Sequence, residues 1–204
     1  MIRVLIVDDH PLFREGVALI LSMEPDIQIL SAASNGREAI EQFRKYHPDV
    51  TLMDLQMPEL NGIGAIDAIC GEFPEARIIV LSTYAGDVQA LRALEAGARA
   101  YLLKGSLRKE LLETIRAVHA GQKRLAPDVA ANIAEHAIDG TLTSREIAVL
   151  TLMAGGIANK EIAAKLSVGE ETVKARVKNI FAKLAANDRT HAVTIGLRRG
   201  IIEL

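Results

Sequence analysis

A single cysteine stands among 204 residues, and tryptophan is missing altogether. Cys70 alone cannot close an internal disulfide, which removes the disulfide-stapled secreted scaffolds and fits a reducing compartment. It lies within an apolar helical pattern and reads as core filler rather than as a nucleophile. No stretch of about 18 uninterrupted apolar residues occurs, so no membrane span is expected. The first residues, MIRVLIVDD, run into acid without a basic n-region or a small-residue cleavage site, so they do not read as a signal peptide. Long-period repeats and low-complexity tracts are also lacking. What remains is a soluble, cytoplasmic class of chain, long enough for one large domain or two small ones.

Net charge is scarce as well, at −2, but that value hides an asymmetry. Residues 1–140 carry a net −6 and residues 141–204 a net +4. An acidic front and a basic tail suggest two modules with different partners, the tail being the candidate for nucleic acid.

Over the first 120 residues, short β-rich runs alternate with helical spacing. IRVLIV (2–7), IQILSAA (27–33), DVTLM (49–53), RIIVLS (77–82) and RAYLL (99–103) read as strands. Helical patterns fill 12–23, 36–46, 62–72, 87–96 and 107–119, with Asn35 and Ser106 as candidate caps and Gly97 and Gly121 as stops. Five strand–helix units predict a parallel five-stranded sheet with right-handed crossovers and helices on both faces. Residues 121–141 break the alternation: Pro127 can open a helix to about residue 138, which DGT closes, giving a helical linker. Four helical stretches follow, at 143–154, 159–165, 169–185 and 189–199.

In such a sheet, ligands bind outside the carboxyl ends of the strands. Those ends collect Asp8 and Asp9 from the first strand, Asp54 from the third, Ser82 from the fourth and Lys104 from the fifth. Each has a bland reading alone: a cap or turn for the aspartates, a solvated or structural role for Ser82 and Lys104. Their shared placement outweighs it. Three carboxylates in one cleft repel unless a cation joins them, and a small set of hard oxygen ligands with room for water and phosphate suits Mg²⁺. The third carboxylate can then accept a phosphoryl group as an aspartyl phosphate, with Lys104 and the Ser82 hydroxyl on its oxygens.

In the tail, LSVGEETVKARVKNIFAKL (166–184) places Val173, Val177, Ile180, Phe181 and Leu184 on one stripe of a helix. Ala175, Lys178, Asn179 and Ala182 face the other way, and Lys174 and Arg176 sit on the shoulders. With the preceding helix 159–166 and the SVG turn this is a helix-turn-helix spacing, which a small bundle with a solvated basic face would also produce.

VLIVDDHPLFREGV, DVTLMDLQMPELNG, IIVLSTYAGD and AGARAYLLKGS resemble the motifs of bacterial response-regulator receiver domains over roughly residues 1–121. The stretch 142–202 is similar to the LuxR-type helix-turn-helix along its length, and the combination resembles the NarL/FixJ subfamily. The resemblance implies a flavodoxin-like receiver at 1–121, a helical linker at 122–140 and a four-helix DNA-binding domain at 141–204. It also implies Asp54 as phosphoacceptor, with Asp8, Asp9, Asp54 and the Gln56 backbone carbonyl around Mg²⁺. Ser82 and Lys104 would sense the phosphoryl group. Tyr101 would swing inward with Ser82, although a packed strand aromatic is an equal reading and one residue can do both. In the tail, Lys174 and Lys178 would reach bases or phosphates, Thr143, Asn159, Lys160 and Thr172 the DNA backbone, and the last helix would pair two tails. Ala175 and Arg176 depart from the asparagine and histidine common there, so the target sequence cannot be borrowed from relatives. Gly105 stands where many receivers have proline after the lysine.

The expected function is a two-component transcription regulator that a histidine kinase phosphorylates on Asp54. Phosphorylation would favour a homodimer on promoter DNA, with RNA polymerase as a further partner, and the chain's own chemistry would be confined to assisting phosphorylation and dephosphorylation. Two rivals are a Mg²⁺-dependent phosphohydrolase using Asp54 as nucleophile, and a DNA binder indifferent to phosphorylation.

Overall fold

The strands β1 (Ile2–Val7), β2 (Ile27–Ala33), β3 (Val50–Asp54), β4 (Ile78–Ser82) and β5 (Ala100–Leu103) pair in parallel in the order β2-β1-β3-β4-β5, followed by a short β6 (Arg124–Leu125). This is a computed structural model, and it describes residues 1–105, 108–136 and 142–202. The described residues fall into two units: Met1–Thr83 with Ala90–Ala130, and Tyr84–Gln89 with Ala131–Leu204.

The middle strands are buried along their whole length, as the unbroken apolar runs require when helices cover both faces of a parallel sheet. The helices α1 (Pro11–Ser22), α2 (Gly36–Tyr46), α3 (Gly62–Glu72), α4 (Asp87–Glu95) and α5 (Arg108–His119) lie within about a residue of the stretches that spacing predicts. Asn35 caps α2 as expected, accepting from the Glu38 amide at 2.9 Å. Gly97 ends α4 with φ at +115°, and a β-carbon there would lie 2.6 Å from Cys70 Sγ. Cys70 thus fills the space a side chain at position 97 would need; the thiol is half-buried rather than part of the core, and burial pushes its pKa up. The expected Ser106 cap and the DGT stop lie outside the described residues.

The sheet corrects the expected five strands to six. Arg124 and Leu125, placed by sequence in the linker, pair with Ala100 and Tyr101 of β5. Two residues are too few to show a period, and only the neighbouring strand's edge selects their extended form. The linker helix follows as α6 (Pro127–His136).

The tail folds as α7 (Ser144–Ala154), α8 (Asn159–Lys165), α9 (Glu170–Lys183) and α10 (Arg189–Arg198). Val149, Leu150, Met153, Ile162, Val173 and Ile180 are central to its core. The seam read on 166–184 is the buried side of α9, with Val173, Ile180 and Leu184 buried and Val177 and Phe181 packed against them. Glu146 is buried at the start of α7, where it and Thr143 form a reciprocal capping box.

Candidate functional site

Strand order reverses between β1 and β3, so their carboxyl ends border the crevice where open α/β sheets bind ligands. Asp8 and Asp9 follow β1, Asp54 ends β3, Ser82 ends β4, and Lys104 follows β5. Asp8 and Asp54 are buried, and the Lys104 side chain is only 11% exposed. Its ammonium lies 2.8 Å from Asp8 Oδ2 and donates to Asp54 Oδ2 at 2.9 Å, while the Leu55 amide donates to Asp54 Oδ1 at 2.8 Å. The structure therefore brings the predicted aspartates and lysine into one cluster.

One cation does not balance this cluster. Burial, foremost, raises the Asp54 pKa against the pull of Lys104. Burial would lower that of Lys104, but Asp8 and Asp54 outweigh it and hold the ammonium charged. Oxygens of Asp8, Asp9 and Asp54 come within 4.8 Å of one another, with His10 at the same spot. Asp8 Oδ2 and Asp9 Oδ1 are buried and accept no hydrogen bond, although Lys104 Nζ and His10 Nδ1 lie close by at 2.8 and 2.7 Å. Under-satisfied hard oxygens of this kind fit a small divalent cation. The paired aspartates do not serve as a helix cap: the residue that caps α1 is His10, whose side chain makes no capping bond.

Tyr101 is fully buried, and burial pushes its pKa up to about 12, with a Ser82 hydrogen bond opposing the shift. Packing and pairing with Ser82 are thus both present in one side chain.

Two contributors escaped the sequence reading. The ring of Phe13 sits 4.8 Å from Lys104 Nζ, on the first turn of α1. Gly62 brings the N-terminus of α3 against the Asp54 backbone so closely that a β-carbon would overlap Asp54 O, at 2.0 Å. The Asn-Gly pair at 61–62 is a visible turn signal, but its closeness to Asp54 is not.

In the tail, Thr172, Lys174, Ala175 and Lys178 are exposed on α9, whereas Arg176 is half-buried. Lys160 is exposed on α8, and half-buried Asn159 accepts from Arg189 at 3.4 Å. Arg189 also donates to the carbonyls of Met153 and Ile157, which secures the turn between α7 and α8. The Thr143 hydroxyl is committed to the capping box with Glu146. Sequence reasoning also passed over Glu171, which is exposed and lies 2.8 Å from Lys174 Nζ.

Comparison with known proteins agrees with both halves. Residues 4–116 match the response regulator receiver domain, and residues 140–195 match the bacterial regulatory proteins of the luxR family. The chain is 39% identical to the transcriptional regulatory protein LiaR of Bacillus subtilis, over 99% of this chain and all of that one. Among solved structures, the response regulator ChrA of a heme-sensing two-component system is 34% identical, with 98% of each chain covered and a TM-score of 0.60. RcsB from Salmonella enterica serovar Typhimurium, bound to a promoter in the presence of a phosphomimetic, is 26% identical, with 95% of this chain and 97% of that one covered and a TM-score of 0.75. A receiver and a LuxR-type DNA-binding module in one polypeptide, matched end to end by such relatives, make this chain a member of the NarL/LuxR family of two-component transcriptional response regulators.

Proposed function

We propose that Asp54 is the phosphoacceptor, and that its phosphorylation by a histidine kinase controls dimerisation and promoter binding. The observation that carries this reading is the buried Asp54 carboxylate, held by Lys104 at 2.9 Å beside one oxygen each of Asp8 and Asp9 that accepts no hydrogen bond. An Asp54 oxygen forms a bond to phosphorus as the bond to the donor histidine's nitrogen breaks. Asp8, Asp9, Asp54 and the Gln56 backbone carbonyl are the residues to hold Mg²⁺, which would offset charge on the phosphoryl oxygens.

Lys104 then exchanges the Asp54 carboxylate for a phosphoryl oxygen while keeping Asp8. The Ser82 hydroxyl turns to a second oxygen, which competes with its bond to Tyr101 and gives the buried phenol a reason to move. Slow hydrolysis at the same site ends the signal.

Residues 1–121 act as the receiver, 122–140 as linker and 141–204 as the DNA-binding domain, in a cytoplasmic protein. Lys174, Ala175 and Lys178 face the major groove, with Arg176 beside them, and Thr143, Asn159, Lys160 and Thr172 lie along the phosphates. The last helix pairs two copies on adjacent half-sites, since one short recognition helix makes few base contacts. RNA polymerase is a further partner.

Incubation with a small phosphodonor and Mg²⁺, followed by intact-mass measurement and footprinting, tests this. A labile single-phosphoryl adduct and tighter promoter binding are expected, both lost in Asp54→Ala. Equal DNA affinity for the phosphorylated protein and Asp54→Ala would refute the coupling.

A further inference from the structure

We infer that Glu171 and Lys174 act as one unit that reads a C·G base pair, with Glu171 setting the specificity. This rests on the reading of α9 as the helix that enters the major groove. Glu171, Ala175, Lys178 and Ala182 recur at i, i+4, i+7 and i+11 and are all exposed, so Glu171 heads the stripe opposite the buried seam. The N-terminal residues of a recognition helix are those that meet base edges. An acid at that place is unfavourable near phosphates, unless a base donor receives it.

The acid does not stand alone. Lys174 Nζ lies 2.8 Å from Glu171 Oε1 and 3.4 Å from Glu170 Oε1, and these carboxylates hold the ammonium charged. A lysine already flanked by two acids gains little from a phosphate. It is instead presented as a cationic donor beside an anionic acceptor.

The major-groove edge of a C·G pair offers the complementary couple. Cytosine N4 donates, guanine O6 and N7 accept, and N4 and O6 are themselves hydrogen-bonded at about 2.9 Å. That separation matches the one between Lys174 Nζ and Glu171 Oε1. The carboxylate thus accepts from N4 while the ammonium donates to O6 and N7. An A·T pair also has an adjacent donor and acceptor, but it turns one acceptor and a methyl toward the ammonium. Ala175 supplies the small side chain that lets this turn of the helix approach the bases.

The test is selection of bound duplexes from a random pool by the full-length protein phosphorylated with a small phosphodonor and Mg²⁺, followed by titration of single-base-pair variants against wild type, Glu171→Ala and Glu170→Ala in the same state. Wild type should show a C·G position in each half-site whose replacement weakens binding on the order of ten- to a hundred-fold. In Glu171→Ala that preference should fall to about twofold, with an unchanged thermal melt, while Glu170→Ala keeps it. The inference is overturned if Glu171→Ala keeps the preference. It is equally overturned if that variant tightens all duplexes alike with a steeper salt dependence, since Glu171 is then only a repelling charge. Failure of the wild type to bind any duplex overturns the DNA-binding reading itself.

Discussion

Lys104 is the residue on which the receiver cluster turns, because it is the ammonium between two buried carboxylates, at 2.8 and 2.9 Å. Removing one partner of a buried ion pair leaves charge uncompensated. Lys104→Gln should therefore lower stability by about 3 kcal/mol in metal-free buffer. The same variant leaves a more negative cleft, so Mg²⁺ should bind it more tightly and raise its melting temperature by more than it raises that of wild type. Calorimetric melts with and without Mg²⁺ check both effects, and an equal Mg²⁺ response in the two proteins would argue against a metal at this cluster. Asp8→Asn should show the reverse, a smaller Mg²⁺ response, because it withdraws a charged oxygen from the same spot.

At the scale of elements, α7 and α9 are joined by the Glu146–Lys183 pair, at 2.8 Å. Burial would raise the Glu146 pKa, but Lys183 and the Thr143 amide and hydroxyl outweigh it and hold it below the usual carboxylate range. A depressed carboxylate gives stability that is present above its unfolded pKa, near 4.3, and is lost as pH falls through the lower folded value. The tail should therefore weaken in acid below about pH 4, and Glu146→Gln should flatten that dependence while lowering stability at neutral pH by roughly 0.5–2 kcal/mol. Urea titrations across pH 3 to 7 measure both. The end of α9 offers a gain instead. Ala185 follows the C-cap with φ at +49°, a conformation in which glycine is favoured. Ala185→Gly should stabilise the tail by about 1 kcal/mol, read as an upward shift in its melt.

For the whole molecule, the net +4 of residues 141–204 against −6 in residues 1–140 makes DNA binding a local property of the tail. Affinity should fall steeply with salt, and Lys160→Ala, which removes a cation placed along the phosphates, should reduce the slope of log K against log salt by about 1. If phosphorylation acts through pairing, the phosphorylated protein should sediment as a dimer and show a steeper slope than the monomer. Asp54→Ala should show neither change. Sedimentation that ignores phosphorylation would separate DNA binding from the receiver.

The sequence alone determined the alternation of strands and helices, the aspartates, Ser82 and Lys104 at strand ends, and the apolar seam of α9. Each depends on local periodicity or on the rule that strand ends share one side of a parallel sheet. Tertiary structure decided what those patterns leave open. It set Lys104 between Asp8 and Asp54, residues far apart in the chain, and it buried Tyr101 beside Ser82. It drew Arg124 and Leu125 into the sheet, where two residues carry no period, and it packed Gly62 against the Asp54 backbone. On α9 it left Glu171 exposed beside Lys174. Periodicity tells which way a side chain faces along its own element. Only packing sets which distant groups meet, and at what distance.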